Sequence, residues 1–145
     1  MPSDNTSSLK MITVLVVGPG VKARGGISAL IARIKDKFPN HINYRIVATC
    51  SGPLWSTENK AERSSPVAQA AVYFIALMRV IAAIAGRRNK IFHIHVSAKG
   101  SILRKGLICI LLRISGSRYL IHMHTSKEEL FDAWVPKIIR RAIFL

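Results

Sequence analysis

The chain has 145 residues, half of them hydrophobic, which is enough to bury a single core and excludes a disordered chain. Lys and Arg outnumber Asp and Glu by 22 to 7, a formal charge of +15 that draws the protein towards phosphates in nucleic acid, on a membrane surface or on a substrate. The two cysteines, Cys50 and Cys109, suggest neither a disulfide framework nor a zinc knuckle and fit a reducing cytoplasm.

Residues 1–10 are polar and Ser-rich and read as a flexible tail. The apolar run that follows is too short and too β-branched for a secretory signal. Residues 11–17 form a continuous Val/Ile/Leu run ending in Gly18-Pro19-Gly20, the pattern of a strand buried on both faces. Gly25-Gly26 opens a periodic, helical segment through Lys37, which Pro39-Asn40 breaks. A second strand is predicted over 44–49, followed by a polar loop over 51–66 of a length that is usually functional or mobile.

Residues 67–85 are apolar except for Gln69 and Arg79, and Arg87, Arg88 and Lys90 follow, a membrane-span composition with a positive flank. A true span would place Arg79 in hydrocarbon, a cost that a buried or a membrane-resting helix avoids. The third strand is Lys90–Val96, a helix covers 101–114, and Ser115-Gly116-Ser117 turns the chain into a fourth strand over 118–124. Residues 135–145 read as a helix ending on Ile143-Phe144-Leu145 with no capping glycine, its apolar face awaiting a partner, as if the chain belonged to something larger. Strands alternating with helices imply a parallel α/β sheet, with right-handed crossovers and helices on both faces.

Two His-x-His triplets sit where apolar strands run out: His93-Ile94-His95 and His122-Met123-His124. Side chains alternate along a strand, so both histidines of a triplet share a face, and the last of each reaches the carboxyl edge, where open α/β sheets bind ligands. His95 and His124 are therefore expected to point into the crevice, to hydrogen-bond a sugar hydroxyl or, when protonated, meet a phosphate. His93 and His122 are expected to be satisfied within the domain. Four histidines could hold a metal, but no carboxylate or cysteine joins them at ligand-like spacing, and no metal is expected.

Gly25 and Gly26 stand between a strand and a helix amino end, where free N–H groups favour an anion; a tight turn serving packing alone explains them equally well. The dinucleotide fingerprint is not met, since the spacing differs and the second strand ends in Thr49-Cys50-Ser51 with no acid for a ribose. Ser97, Gly100 and Ser101 with Arg104 and Lys105 surround a helix start, a seat for a phosphorylated or hydroxyl-rich group, or else a solvated helix face. Glu128, Glu129 and Asp132 complement the start of a short helix. There is no Gly-x-Ser-x-Gly elbow, Walker loop or RNA-binding aromatic pattern, so nucleic acid rests on charge alone and is not an expected partner.

Taken in order, the strand-Gly-Gly-helix opening, Phe92-His93-Ile94-His95-Val96-Ser97 with Gly100-Ser101 and Arg104-Lys105, and Ile121-His122-Met123-His124 before an acidic stretch resemble the amino-terminal domain of family 4 glycosyltransferases. The resemblance covers residues 12–145. It implies one Rossmann-like half, residues 11–145, of a GT-B architecture in which two such domains face each other across a cleft and transfer sugar from a nucleotide-sugar with retention. By this resemblance Gly25 and Gly26 face the donor diphosphate and His124 touches the donor sugar near the reaction centre. His95, Ser97, Arg104 and Lys105 lie towards the acceptor. No cofactor is implied beyond the nucleotide-sugar donor.

The family's nucleotide-binding second domain has no counterpart in this sequence. The resemblance therefore implies the acceptor half of a truncated or split enzyme, inactive without a separate carboxyl-terminal domain. The basic surface and the 67–85 helix suggest a saccharide or lipid-linked acceptor in polysaccharide or glycolipid assembly, with a cytoplasmic protein peripheral on the inner face of an anionic membrane. The alternative is a non-catalytic phosphate- or membrane-binding Rossmann-like module.

Overall fold

A computed structural model describes residues 11–20, 26–35, 37, 42–50, 65–86, 89–97, 100–124 and 135–144. Strand β1 (Ile12–Gly18) leads to helix α1 (Gly26–Lys35), β2 (Ile42–Ala48), α2 (Pro66–Ala85), β3 (Lys90–Val96), α3 (Gly100–Ile114), β4 (Tyr119–Met123) and α4 (Lys137–Phe144). The four strands form one sheet in the order β2-β1-β3-β4. Every pairing is parallel, with Val17 opposite both Val47 and Ile94, and His95 opposite His122. The fold is thus an all-parallel, Rossmann-like α/β sheet flanked by helices.

The chain leaves β1 in one direction along the sheet, to β2, and returns past β1 to β3. Crossovers of one hand must then lie on opposite faces. Accordingly α1 packs Ile31 beside Gly18 on one face. Helices α2, α3 and α4 bury Val80, Ile102, Ile108, Leu112 and Ile143 with Leu15, Val17, Phe92, Ile94 and Val96 on the other. The reversal of strand order between β1 and β3 creates a switch point, and the carboxyl ends of those strands open there.

Three local devices position these elements. Pro66 stands in the first turn of α2, where Ser65 Oγ accepts from Ala68 N at 3.1 Å, and Lys90 Nζ donates to Ala83 O at 2.6 Å at the other end. Gly116 takes φ +66° in the α3–β4 turn, a conformation that costs glycine little. Thr49 falls outside β2; its N and Oγ1 both donate to Gly18 O, tying the carboxyl ends of β1 and β2 together.

One expectation changes and one is narrowed. The apolar face of the last helix is not left uncovered: Val135, Ile139, Ala142 and Ile143 are buried. They join the common core, Tyr119 Oη donates to Ala142 O at 3.0 Å, and Arg113 Nη1 reaches Arg141 O at 3.3 Å. Gly106 permits this, because a side chain there would overlap Ile139 of α4. Helix α2, by contrast, commits only a narrow face to the core. Only Ala76 and Val80 are buried, while Val67, Phe74, Ile75, Met78 and Ile81 face outward. It is long and apolar enough to cross a membrane. The tail 1–10 and the 51–64 part of the predicted loop lie outside the described residues.

Candidate functional site

The carboxyl ends of β1, β3 and β4 meet α3 at the switch point. The period of two in β3 sends Phe92, Ile94 and Val96 into the core and His93 and His95 to the opposite face. The same alternation in β4 packs the half-buried Tyr119, Ile121 and Met123 against the core and leaves Leu120 and His122 on the histidine face, with His124 continuing it. His124 N donates to Val96 O at 2.7 Å, which carries the ladder one residue past β4 and sets this residue beside Ser97.

All four imidazoles therefore gather on one surface. Ring centroids of neighbouring histidines lie 4.3–5.9 Å apart. His95 is fully buried, and its Nδ1 lies 2.9 Å from His124 Nε2. One ring donates and the other accepts, so the tautomers of the pair are coupled. His95 Nε2 is buried without a partner. Burial, then the nearby rings of His93, His124 and His122 and the ammonium of Lys105, hold the His95 imidazole down at about 3. Burial lowers His93 and His124 as well. His95 is therefore neutral at physiological pH.

On the other side of the edge, Ser101 is buried in the first turn of α3, and its Oγ accepts from Lys105 Nζ at 2.8 Å and from Ser97 N at 3.4 Å. Lys105 is 4 % exposed, and burial, together with Arg104, lowers it to about 8. It remains mostly an ammonium at pH 7, with Ser101 as its side-chain partner among the described residues. Tyr73 Oη donates to Arg104 O at 2.8 Å, joining α2 to this turn of α3.

The sequence-predicted residues are distributed unevenly over this geometry. His95, His124, Ser97 and Lys105 come together at the carboxyl edge. Lys105 is not on a solvated face, because the helix turns it into the domain. Arg104 is partly buried, with Nε lacking a partner. Gly26 is the exposed first residue of α1, with open space where a side chain would stand. Gly25 lies outside the described residues, as do Glu128, Glu129 and Asp132.

His95 is too buried to meet a phosphate as a cation, so the crevice is reached through His124. Sequence reasoning assigns His93 and His122 to the domain interior, whereas their rings join the same cluster and His122 is exposed. The signal was there in two equal-phase triplets, but strand register decides whether they meet. A hollow of about 250 Å³, lined by Ile12, Lys90, Phe92 and Arg118, lies at the opposite, amino-terminal edge.

The arrangement can do two things chemically. Lys105 and Ser101 offer a buried cation and a hydroxyl to an anionic or hydroxyl-rich group, and the histidines offer neutral nitrogen donors and acceptors. Compared with protein-family models, with curated proteins and with solved structures, the chain matches none.

Proposed function

We propose that this chain is the amino-terminal, acceptor-side domain of a retaining, nucleotide-sugar-dependent glycosyltransferase of GT-B architecture, transferring sugar only together with a carboxyl-terminal donor domain. The observation that supports this reading is the meeting of the segments carrying the family resemblance: His124, hydrogen-bonded to His95, stands at the carboxyl edge beside Ser97, Ser101 and Lys105. In this reading His124 contacts the donor sugar, and Gly25 and Gly26 approach the donor diphosphate. Lys105 and Arg104 supply positive charge towards the acceptor. The step is departure of a nucleoside diphosphate, whose growing charge is met by fixed cations and backbone N–H groups.

The acceptor in this proposal is lipid-linked. The outward face of α2, with Val67, Phe74, Ile75, Met78 and Ile81 exposed on a chain of charge +15, suits an anionic bilayer surface. Liposome flotation is expected to show binding to anionic vesicles that is lost on changing Phe74 and Met78 to Glu. Equal binding to neutral vesicles removes this part of the proposal. The transferase reading is tested by mixing the chain with a family 4 donor domain, nucleotide-sugar and a lipid-linked saccharide. Transfer in the mixture, lost with His124→Ala, is the expected result; no transfer in any mixture overturns it in favour of a non-catalytic binding module.

A further inference from the structure

We infer that His93, His95 and His122 form a binding site for a divalent first-row transition-metal ion of the zinc class, with His124 holding His95 in orientation. The inference rests on the sheet and its histidines alone and is independent of the transferase reading.

One ring nitrogen from each of the three residues lies within 4.8 Å of those of the other two. A tetrahedral zinc with bonds of about 2.0–2.1 Å needs its nitrogens about 3.3 Å apart. Side-chain rotation closes that difference, because all three rings stand on one face of two adjacent strands, with His95 opposite His122 in register.

A second observation comes from His95 itself. With Nδ1 donating to His124 Nε2, His95 Nε2 carries the lone pair left to ligate, and Nε2 is buried with no partner among the described residues. Ligating histidines generally spend their other ring nitrogen on a hydrogen bond that fixes tautomer and ring orientation, which is the relation of His95 to His124. A metal would satisfy the orphaned nitrogen.

The donor set selects the metal. The three ligands are imidazoles, and no Asp or Glu is among the described residues, a donor set that does not suit oxygen-seeking magnesium or calcium. Imidazoles favour zinc, copper or nickel. The charge of +15 disfavours any cation held by field alone, so the ion must be held by its ligands. His122 is exposed and His93 half-buried, which gives an ion a way in and leaves a coordination position facing solvent.

The test is zinc titration of the full chain by calorimetry, with cobalt as a spectroscopic stand-in and magnesium as a hard-ion control. Expected are one zinc per chain, strong visible bands of four-coordinate cobalt, and no magnesium binding. His122→Ala and His93→Ala should each weaken binding about tenfold or more, and His124→Ala by about 10- to 100-fold through lost orientation. His41→Ala, the remaining histidine, should leave it unchanged. Because His122 is exposed, its variant keeps the fold, which circular dichroism verifies. Absence of zinc binding, or binding that His122→Ala and His93→Ala leave intact, overturns the inference.

Discussion

The two faces of β3 and β4 are built from alternate residues of the same strands, yet they differ in kind. One face carries Phe92, Ile94, Val96, Tyr119, Ile121 and Met123 against three helices. The other carries His93, His95, His122 and His124, with Leu120 exposed beside them. A strand can thus serve the core and a site at once, because its period of two separates the roles by a single residue. The cost of error is also separated: dry packing sets stability, while the histidine face sets what the domain binds.

Substitution along the two faces should reproduce that separation. Phe92→Ala, in the dry core, should lose about 3–5 kcal/mol by denaturant unfolding, since the ring is fully buried and the helices over it cannot collapse into the space. If it loses less than the histidine-face variants, the division of labour is wrong. Gly106→Val should cost about 1–3 kcal/mol by pushing α4 off α3, with Ile139→Ala in the same chain restoring part of the loss.

Lys105 sharpens the comparison, since it lies in the core helix layer yet serves the edge. Burial holds it at about 8, against 10.5 unfolded. The unfolded chain therefore keeps a proton that the folded one has released, and stability should rise as pH climbs from about 8 to 10.5. Lys105→Met should gain on the order of 1 kcal/mol at pH 7, abolish that rise, and weaken any anionic ligand of the edge. No stabilisation would mean that the ammonium is compensated. The smallest effect is expected at His122→Ala, within about 0.5 kcal/mol of wild type, because the ring is exposed.

Much of the fold was legible locally. The third strand was read at its observed bounds, Lys90–Val96, because an alternating run between Gly86 and Gly100 is unambiguous. The first strand moved by one residue, since Gly18 still pairs with Ala48. The last helix was read correctly as a helix and wrongly as uncovered, because whether an apolar face finds Gly106 across the core is a matter of packing. The segments expected to touch a phosphate were only partly legible. Gly25 lies outside the described residues, and the burial of Lys105 depends on how α3 packs, which its local sequence does not encode.

Periodicity, glycine punctuation and the alternation of strand with helix determined the parallel sheet, because these are properties of short stretches of chain. They also put each histidine pair on one face. Strand order, the switch point between β1 and β3, the register that sets His95 against His122, and the burial of Lys105 were decided only in three dimensions. Such pairings join residues some thirty positions apart, and their choice depends on crossover direction and on how the helices share one core.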